Sequence, residues 1–302
     1  MDSAASSNGT PRTVHNDGVM PRNSTQAIVQ RAFDGGYAVP AINVVNDLTL
    51  EAVLAAADEA HAPLIVQTSV KTVRSIGVEV LWSMWESMVA KVKVPVALHL
   101  DHCSDRNVIS ACLAAGWDSV LFDAHELSVE ENQRQCIEIV AEAGRTGAAV
   151  EGEIEGFRRV EDEPDSDEDG PTQTLEVAVD FIRATRVDIF APAIGNAHGL
   201  YRARPTLDHQ RITDLVEATG IPMALHGGTG LSEEQFRDLI ARGCAKVNVS
   251  TALKVAYMQA NREYLAADPE AADPPRLFAH VRARIMAMTT EYIRMFGADG
   301  RA

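Results

Sequence analysis

VPVALHLDHCSDRNVISACLAAGWDSVLFD, residues 94–123, contains the unit from which the whole chain is built. It opens on a β-rich run, VPVALHL (94–100), and passes through a helix-like stretch, DRNVISACLAAG (105–116). It closes on a second β-rich run, SVLFD (119–123). Gly116 stands where a helix C-cap belongs, just before the next strand. Alternation of strand and helix predicts a parallel sheet. The same stretch raises a chemical question. HLDHC (99–103) puts two histidines and an aspartate at the end of an apolar run, where burial is costly unless such groups are paired or bind a metal. That strand end is either a solvated edge or a working site.

The unit recurs in both directions. Further strands are read at AVPAIN (38–43), PLIVQTS (63–69), AAVEGEI (148–154), DIFAPAIG (188–195), IPMALHG (221–227) and AKVNVS (245–250), with helical patterns between them. Eight strands alternating with eight helices predict an α/β fold, a (β/α)8 TIM barrel in a single domain over 24–302. A doubly wound open sheet is the alternative, but no GxGxxG follows the first strand. Residues 1–23 lack the apolar core of a signal peptide and read as a disordered tail. GFRRVEDEPDSDEDGPTQ (156–173) reads as a mobile acidic loop. A last helix is expected over 277–296, after the linker DPEAADPPR.

The totals narrow the function. In 302 residues, 27 basic side chains face 43 acidic ones, so nucleic acid is excluded for want of a basic stripe. A small anionic ligand is not excluded, since it needs only local donors or a cation. Cys103, Cys112, Cys136 and Cys244 form no CxxC pair, which points to free thiols in a reducing, cytoplasmic setting. No apolar run reaches the length of a membrane span.

In a barrel, catalytic groups gather at the C-terminal ends of the strands. Asn43 ends the first strand, and Asp101 and His102 end the third. Glu151 and Glu153 lie on the fifth, His198 follows the sixth, His226 ends the seventh, and Asn248, Ser250 and Thr251 end the eighth. A lone histidine at a strand end is usually structural. Three on non-adjacent strands, with a carboxylate, describe a catalytic Zn2+ site. HGGTG (226–230) and NVST (248–251) stand where this architecture cradles phosphate, although Gly-Gly alone is ordinary turn chemistry. Zinc beside phosphate suggests a phosphorylated substrate whose carbonyl the metal polarises, with no Schiff base required. Lys246 reads as structural, and His99 as a partner rather than a ligand. His61, His125, His209 and His280 read as surface or helix-packing residues.

AIN (41–43), HLDHC, VEGEIEGFRRVED (150–162), AIGNAHGLY (193–201), LHGGTG (225–230) and KVNVST (246–251), in that order, resemble one family. It is the class II, zinc-dependent fructose-bisphosphate aldolases, which include the tagatose-bisphosphate aldolases. The resemblance implies that His102, His198 and His226 bind zinc and that Glu153 joins them in some states. It implies Asp101 as acid and base on the carbon-4 hydroxyl, and Glu161 as the loop carboxylate that takes a proton from dihydroxyacetone phosphate. Backbone N–H groups of Gly199, Gly228, Thr229, Ser250 and Thr251 would grip the phosphate, with a monovalent cation (Na+ or K+) near Gly199 and Gly227. Asn43 and Asn248 would bind the triose portion. The implied reaction cleaves or forms a C–C bond of a ketose (bis)phosphate through a zinc-stabilised enediolate. The implied assembly is a homodimer or homotetramer.

The chain also departs from the family. Ile154-Glu155 replaces the usual Leu-Gly, Arg158-Arg159 replaces Gly-Gly, and Ile42 stands in place of Phe. The expectation is a retained metal and triose-phosphate half with a changed aldehyde half, of tagatose type or another phosphoketose. Arg158 and Arg159 would either bind an anionic aldehyde portion or neutralise the acidic loop. A zinc amidohydrolase would carry HxH on the first strand, where this chain has INVVN. A non-catalytic binding barrel is the remaining alternative.

Overall fold

The computed structural model describes residues 24–156, 172–197, 199 and 205–302. Helix α1 (Thr25–Gly35) precedes β1 (Val39–Asn43), α2 (Asp47–Glu59) and β2 (Leu64–Ser69). Two helices follow, α3 (Val70–Ile76) and α4 (Val78–Val89), then β3 (Val96–Cys103), α5 (Arg106–Ala115) and β4 (Ser119–Asp123). Next come α6 (Val129–Thr146), β5 (Ala149–Glu153), α7 (Leu175–Thr185) and β6 (Ile189–Phe190). The chain continues with α8 (His209–Thr219), β7 (Met223–Leu225), α9 (Glu233–Ala241) and β8 (Cys244–Val249), and ends with α10 (Thr251–Ala267) and α11 (Pro274–Met295).

The eight strands are all parallel and close in sequence order. Ala41 of β1 pairs with Ile65 of β2 on one side and Asn248 of β8 on the other. This is the (β/α)8 barrel expected from the alternation. Residues at the turns make the alternation sharp. Asn46, Ser69, Asp105, Ser128, Thr174, Asp208 and Ser232 cap helix N-termini with their side chains. Gly36, Gly116, Gly147 and Gly220 end helices in the left-handed conformation. Helix α1 lies against β1, β3 and β8, and Thr25 donates to Ser119 at the start of β4, so it sits at the N-terminal end of the barrel. All four cysteines are buried free thiols.

Four details differ from the sequence reading, each for a local reason. Strand β3 runs through HLDHC to Cys103, and its ladder with β4 is irregular between Leu100 and Cys103. Strand β6 is only two residues long. Pro192 has no N–H to continue the ladder, and the next two N–H groups go to side chains: Ala193 donates to Glu155 and Ile194 to Asn196. Helix α3 starts directly after β2, and Gly77, at φ +95°, separates it from α4. Helix α11 begins at Pro274, ahead of the expected 277, because proline is well suited to the first turn.

Glu155 does more than replace a family glycine. Its carboxylate is buried, receives Arg211 Nη2 and the Gln173 N–H on one oxygen and the Ala193 N–H on the other, each at 2.7 Å. One side chain thus joins the end of β5, the entry to α7, the segment after β6 and helix α8. Removing one partner of a buried pair strands the other charge, which typically costs about 3–5 kcal/mol. Arg211→Leu is therefore expected to lower the urea-unfolding free energy by roughly 3 kcal/mol. A loss within experimental error would show that the pair is not a structural tie.

Candidate metal and active site

The site begins with an unusual backbone. His102 has φ +43°, a left-handed conformation that is costly for a residue with a side chain and that gathers at functional positions. The local break in the β3 ladder accommodates it. His102 Nδ1 lies 2.9 Å from Asp123 Oδ2 at the end of β4. His226, just after β7, places Nε2 2.7 Å from Glu151 Oε1 and Nδ1 3.1 Å from Glu153 Oε2. The two rings meet edge to face with centroids 4.8 Å apart. Each imidazole thus has one nitrogen anchored by a carboxylate, which fixes its tautomer and orientation as metal-binding histidines require.

Glu153 completes the group. It is buried, and among the described residues neither of its oxygens accepts a hydrogen bond. Burial first, then Asp123, Glu151, Asp101 and Glu155, push its carboxyl well above the ordinary range. Donor atoms of His102, Glu153 and His226 all lie within 4.8 Å of one another. A buried carboxylate without hydrogen bonds, facing two carboxylate-anchored imidazoles amid further acids, fits the donor set of a divalent cation. The expected third imidazole, His198, lies outside the described residues, as do Glu161, Arg158 and Arg159.

Beside this group, Asp101 is held by two amides. Asn43 Nδ2 donates to one oxygen at 2.8 Å and Asn248 Nδ2 to the other at 3.2 Å. Each amide is itself oriented from behind: Gln67 Nε2 donates to Asn43 Oδ1 at 2.7 Å, and Lys246 Nζ to Asn248 Oδ1 at 2.6 Å. Burial raises the Asp101 carboxyl, but His102, Lys246, His226 and His99 outweigh it and bring the pKa below its ordinary value. Lys246 also meets Glu151 Oε2 at 2.8 Å, with both side chains fully buried. It is structural, as its depth on β8 suggested. It also reaches both halves of the site, through Asn248 to Asp101 and through Glu151 to His226. His99 meets Ser119 and is neutral, its pKa lowered to about 3 by burial and then by Lys246.

Above these groups opens a cleft of about 380 Å3. It brings together Asn43, Asp101, His102 and Asn248 with the expected phosphate residues Gly199, Gly227, Gly228, Thr229, Ser250 and Thr251. Gly227, at φ +62°, cannot carry a side chain, since a Cβ there would lie 2.1 Å from the Ala197 carbonyl oxygen. The loops after β6 and β7 are therefore in direct contact. Asn196 Nδ2, which donates to the His226 carbonyl at 2.8 Å, ties them further.

His125 is exposed, as expected, and its Nδ1 also lies 2.5 Å from Asp123 Oδ1. Asp123 is thus gripped by two histidines, and although burial alone would raise its pKa, their contacts hold it far below the carboxylate range. His209 pairs with Asp238 and His280 packs at a tilt against Tyr264. The sequence reading missed Asp123, Gln67 and the reach of Lys246. Asp123 could have been found as an acid ending a strand beside HLDHC. Gln67 carried no signal beyond being polar in an apolar strand. The cleft also includes Ser69, Lys71, Arg74 and Lys254, which had gone unremarked.

Residues 23–301 match the profile of a family described as fructose-bisphosphate aldolase class-II. A sulfofructosephosphate aldolase of Alkalicoccus urumqiensis is 31% identical over 280 residues, covering 92% of this chain and 98% of that one. A candidate fructose-1,6-bisphosphate aldolase from Coccidioides immitis superposes with a TM-score of 0.84 at 29% identity, covering 93% and 99% of the two chains. The YdjI aldolase from Escherichia coli does so at 0.80 and 28%, with the same coverage.

With its carboxyl pushed well above the ordinary range by burial and neighbouring acids, Glu153 favours its protonated form, so a cation competes with a proton there. Apparent metal affinity is therefore expected to rise with pH. Calorimetry in buffers of different ionisation enthalpy should register proton release on binding, reduced in Glu153→Gln. Affinity independent of pH across the neutral range would remove Glu153 from the ligand set.

Proposed function

The chain belongs to the class II fructose-bisphosphate aldolase family, and we propose that it is a metal-dependent aldolase acting on a ketose phosphate. The products of cleavage are dihydroxyacetone phosphate and an aldehyde. The observation that carries this reading is the position of Asp101, held through both oxygens by Asn43 and Asn248 and 4.0 Å from His102 Nε2. An ionised carboxylate is thereby fixed beside a ligand group without being consumed by it.

Two imidazoles and a carboxylate suit Zn2+. Bound there, it would supply Lewis-acid polarisation of a substrate carbonyl. The protein does the rest. Gly228, Thr229, Ser250 and Thr251, on the loops after β7 and β8, bind the triose phosphate, where this architecture offers N–H donors to anions. A monovalent cation near Gly199 and Gly227 would assist in so acidic a chain. Asp101 accepts the proton of the substrate hydroxyl as the carbon–carbon bond breaks and the aldehyde leaves. Glu161, assigned by resemblance, returns a proton to the triose carbon.

A second reading refines the first. The relative from Alkalicoccus urumqiensis is named for sulfofructosephosphate, and this chain differs from the family pattern at Arg158-Arg159. A ketose phosphate with an altered aldehyde half accounts for both. We take the enzyme to be a cytoplasmic homodimer or homotetramer. No helix among the described residues is long and apolar enough to cross a membrane.

A coupled assay for triose-phosphate release tests the reaction. Activity should vanish on chelation and return with Zn2+, and a chelated enzyme working at full rate would refute metal dependence. Asp101→Asn should lower kcat by about 10²–10⁴, the usual span for a general acid–base group, while metal content stays at the wild-type level. A small loss would exclude Asp101 from proton transfer.

A further inference from the structure

The end of the barrel opposite the cleft carries a hollow of its own. It encloses about 340 Å3, between α1 and the segments that lead into β6 and β7. Its floor is apolar, since Ile182, Val187 and Pro222 are buried. Its rim is polar, with Gln26 and Gln30 on α1 and Arg183 and Arg186 at the end of α7. A hollow of that size, with an apolar base and a few polar groups around it, suits a small organic ligand.

Arg186 is the unusual residue. It caps α7 in the left-handed conformation, at φ +58°. Helices α1, α5, α6 and α8 end the same way, each on a glycine, because a Cβ strains that backbone. Cations near a helix C-terminus complement its dipole. Arg183 already does so from the last turn of α7, and its Nη2 donates to the Ala218 carbonyl of α8 at 3.1 Å. That role does not account for a strained arginine three residues on. Neither guanidinium has a carboxylate partner among the described residues, in a chain with 43 acidic side chains to 27 basic ones. Like charges at this spacing repel, and an anion between them would relieve that repulsion.

We infer that this hollow is a binding site for a small phosphomonoester, its phosphate between Arg183 and Arg186 and its organic part on the apolar floor. Guanidinium forks match phosphate oxygens in pairs. The polar rim suits the hydroxyls of such a ligand. Gln30 Nε2 donates to Asp34 at 2.9 Å, which leaves its carbonyl oxygen to accept. Asp188 is the one acid along the hollow, and the Val150 N–H occupies one of its oxygens at 2.8 Å, so the other can accept from a hydroxyl. The site stands apart from the catalytic cleft and does not depend on the aldolase reading.

Hydrogen exchange of the full-length protein, with inorganic phosphate or ribose 5-phosphate against sodium chloride at matched ionic strength, tests the site by location. An anion in the cleft slows exchange in the loops at 226–230 and 248–251, whereas one in the hollow slows it at 182–188 and 219–223. The wild type should show the second pattern with both probes, at a lower concentration of ribose 5-phosphate because it also covers the floor. The concentration giving half-maximal protection there should rise about 10-fold in Arg183→Ala and at least as much in Arg186→Gly. Glycine prefers the backbone of residue 186, so Arg186→Gly without ligand should unfold at the wild-type temperature or above. Protection confined to the cleft loops, or Arg186→Gly binding as the wild type does, overturns the inference. So does a lower unfolding temperature of ligand-free Arg186→Gly, which would make Arg186 a structural residue. Ribose 5-phosphate binding no tighter than inorganic phosphate overturns the phosphomonoester assignment.

Discussion

The ion pair between Lys246 and Glu151 sits at the centre of the barrel, with both side chains fully buried. A buried ion pair is poor evidence of stability, since desolvation offsets much of the Coulomb attraction. Its value here is geometric. Lys246 donates to Asn248, which donates to Asp101, while Glu151 orients the His226 imidazole. One ammonium group therefore sets the angle of the Asp101 carboxylate and that of the His226 ring. If it were lost, two amide and carboxylate orientations on different strands would become free together.

The surroundings of that pair explain why the site calls for a cation. Asp101, Asp123, Glu151, Glu153 and Glu155 are all buried near the C-terminal end of the barrel. Glu155 is balanced by Arg211, Glu151 by Lys246 and Asp123 by two histidines. Glu153 alone lacks a hydrogen-bonding partner among the described residues. The strained backbone at His102 belongs to the same economy of design, because the left-handed turn brings its ring to the gap beside Glu153 and His226.

Much of this was legible in the order of residues. The eightfold alternation of strand and helix is a long-range regularity that local errors do not erase, and it led to the closed barrel. Strand ends are where a barrel exposes side chains to its cleft, so His102, His226, Asp101 and Glu153 stood out by position alone. What the sequence hid was pairing. Lys246 and Asn248 are two residues apart on one strand, but Glu151 and Asp101 approach them from across the barrel, and no periodicity records that. Glu155 stood out in the sequence only as half of a pair in place of the usual Leu-Gly. Its actual work is to receive Arg211 from a helix 56 residues away. Helix α3 was missed because seven residues hold too little periodicity to signal a helix. The shortness of β6 followed from Pro192 and from two side chains that capture its next N–H groups.

The central claim is that His102, His226 and Glu153 together hold one divalent ion. Anomalous diffraction from crystals of the zinc-loaded protein, recorded on both sides of the zinc absorption edge, addresses it directly. The account predicts a single strong difference peak enclosed by those three side chains. A peak elsewhere, or none in protein shown to contain one equivalent of zinc, would contradict it.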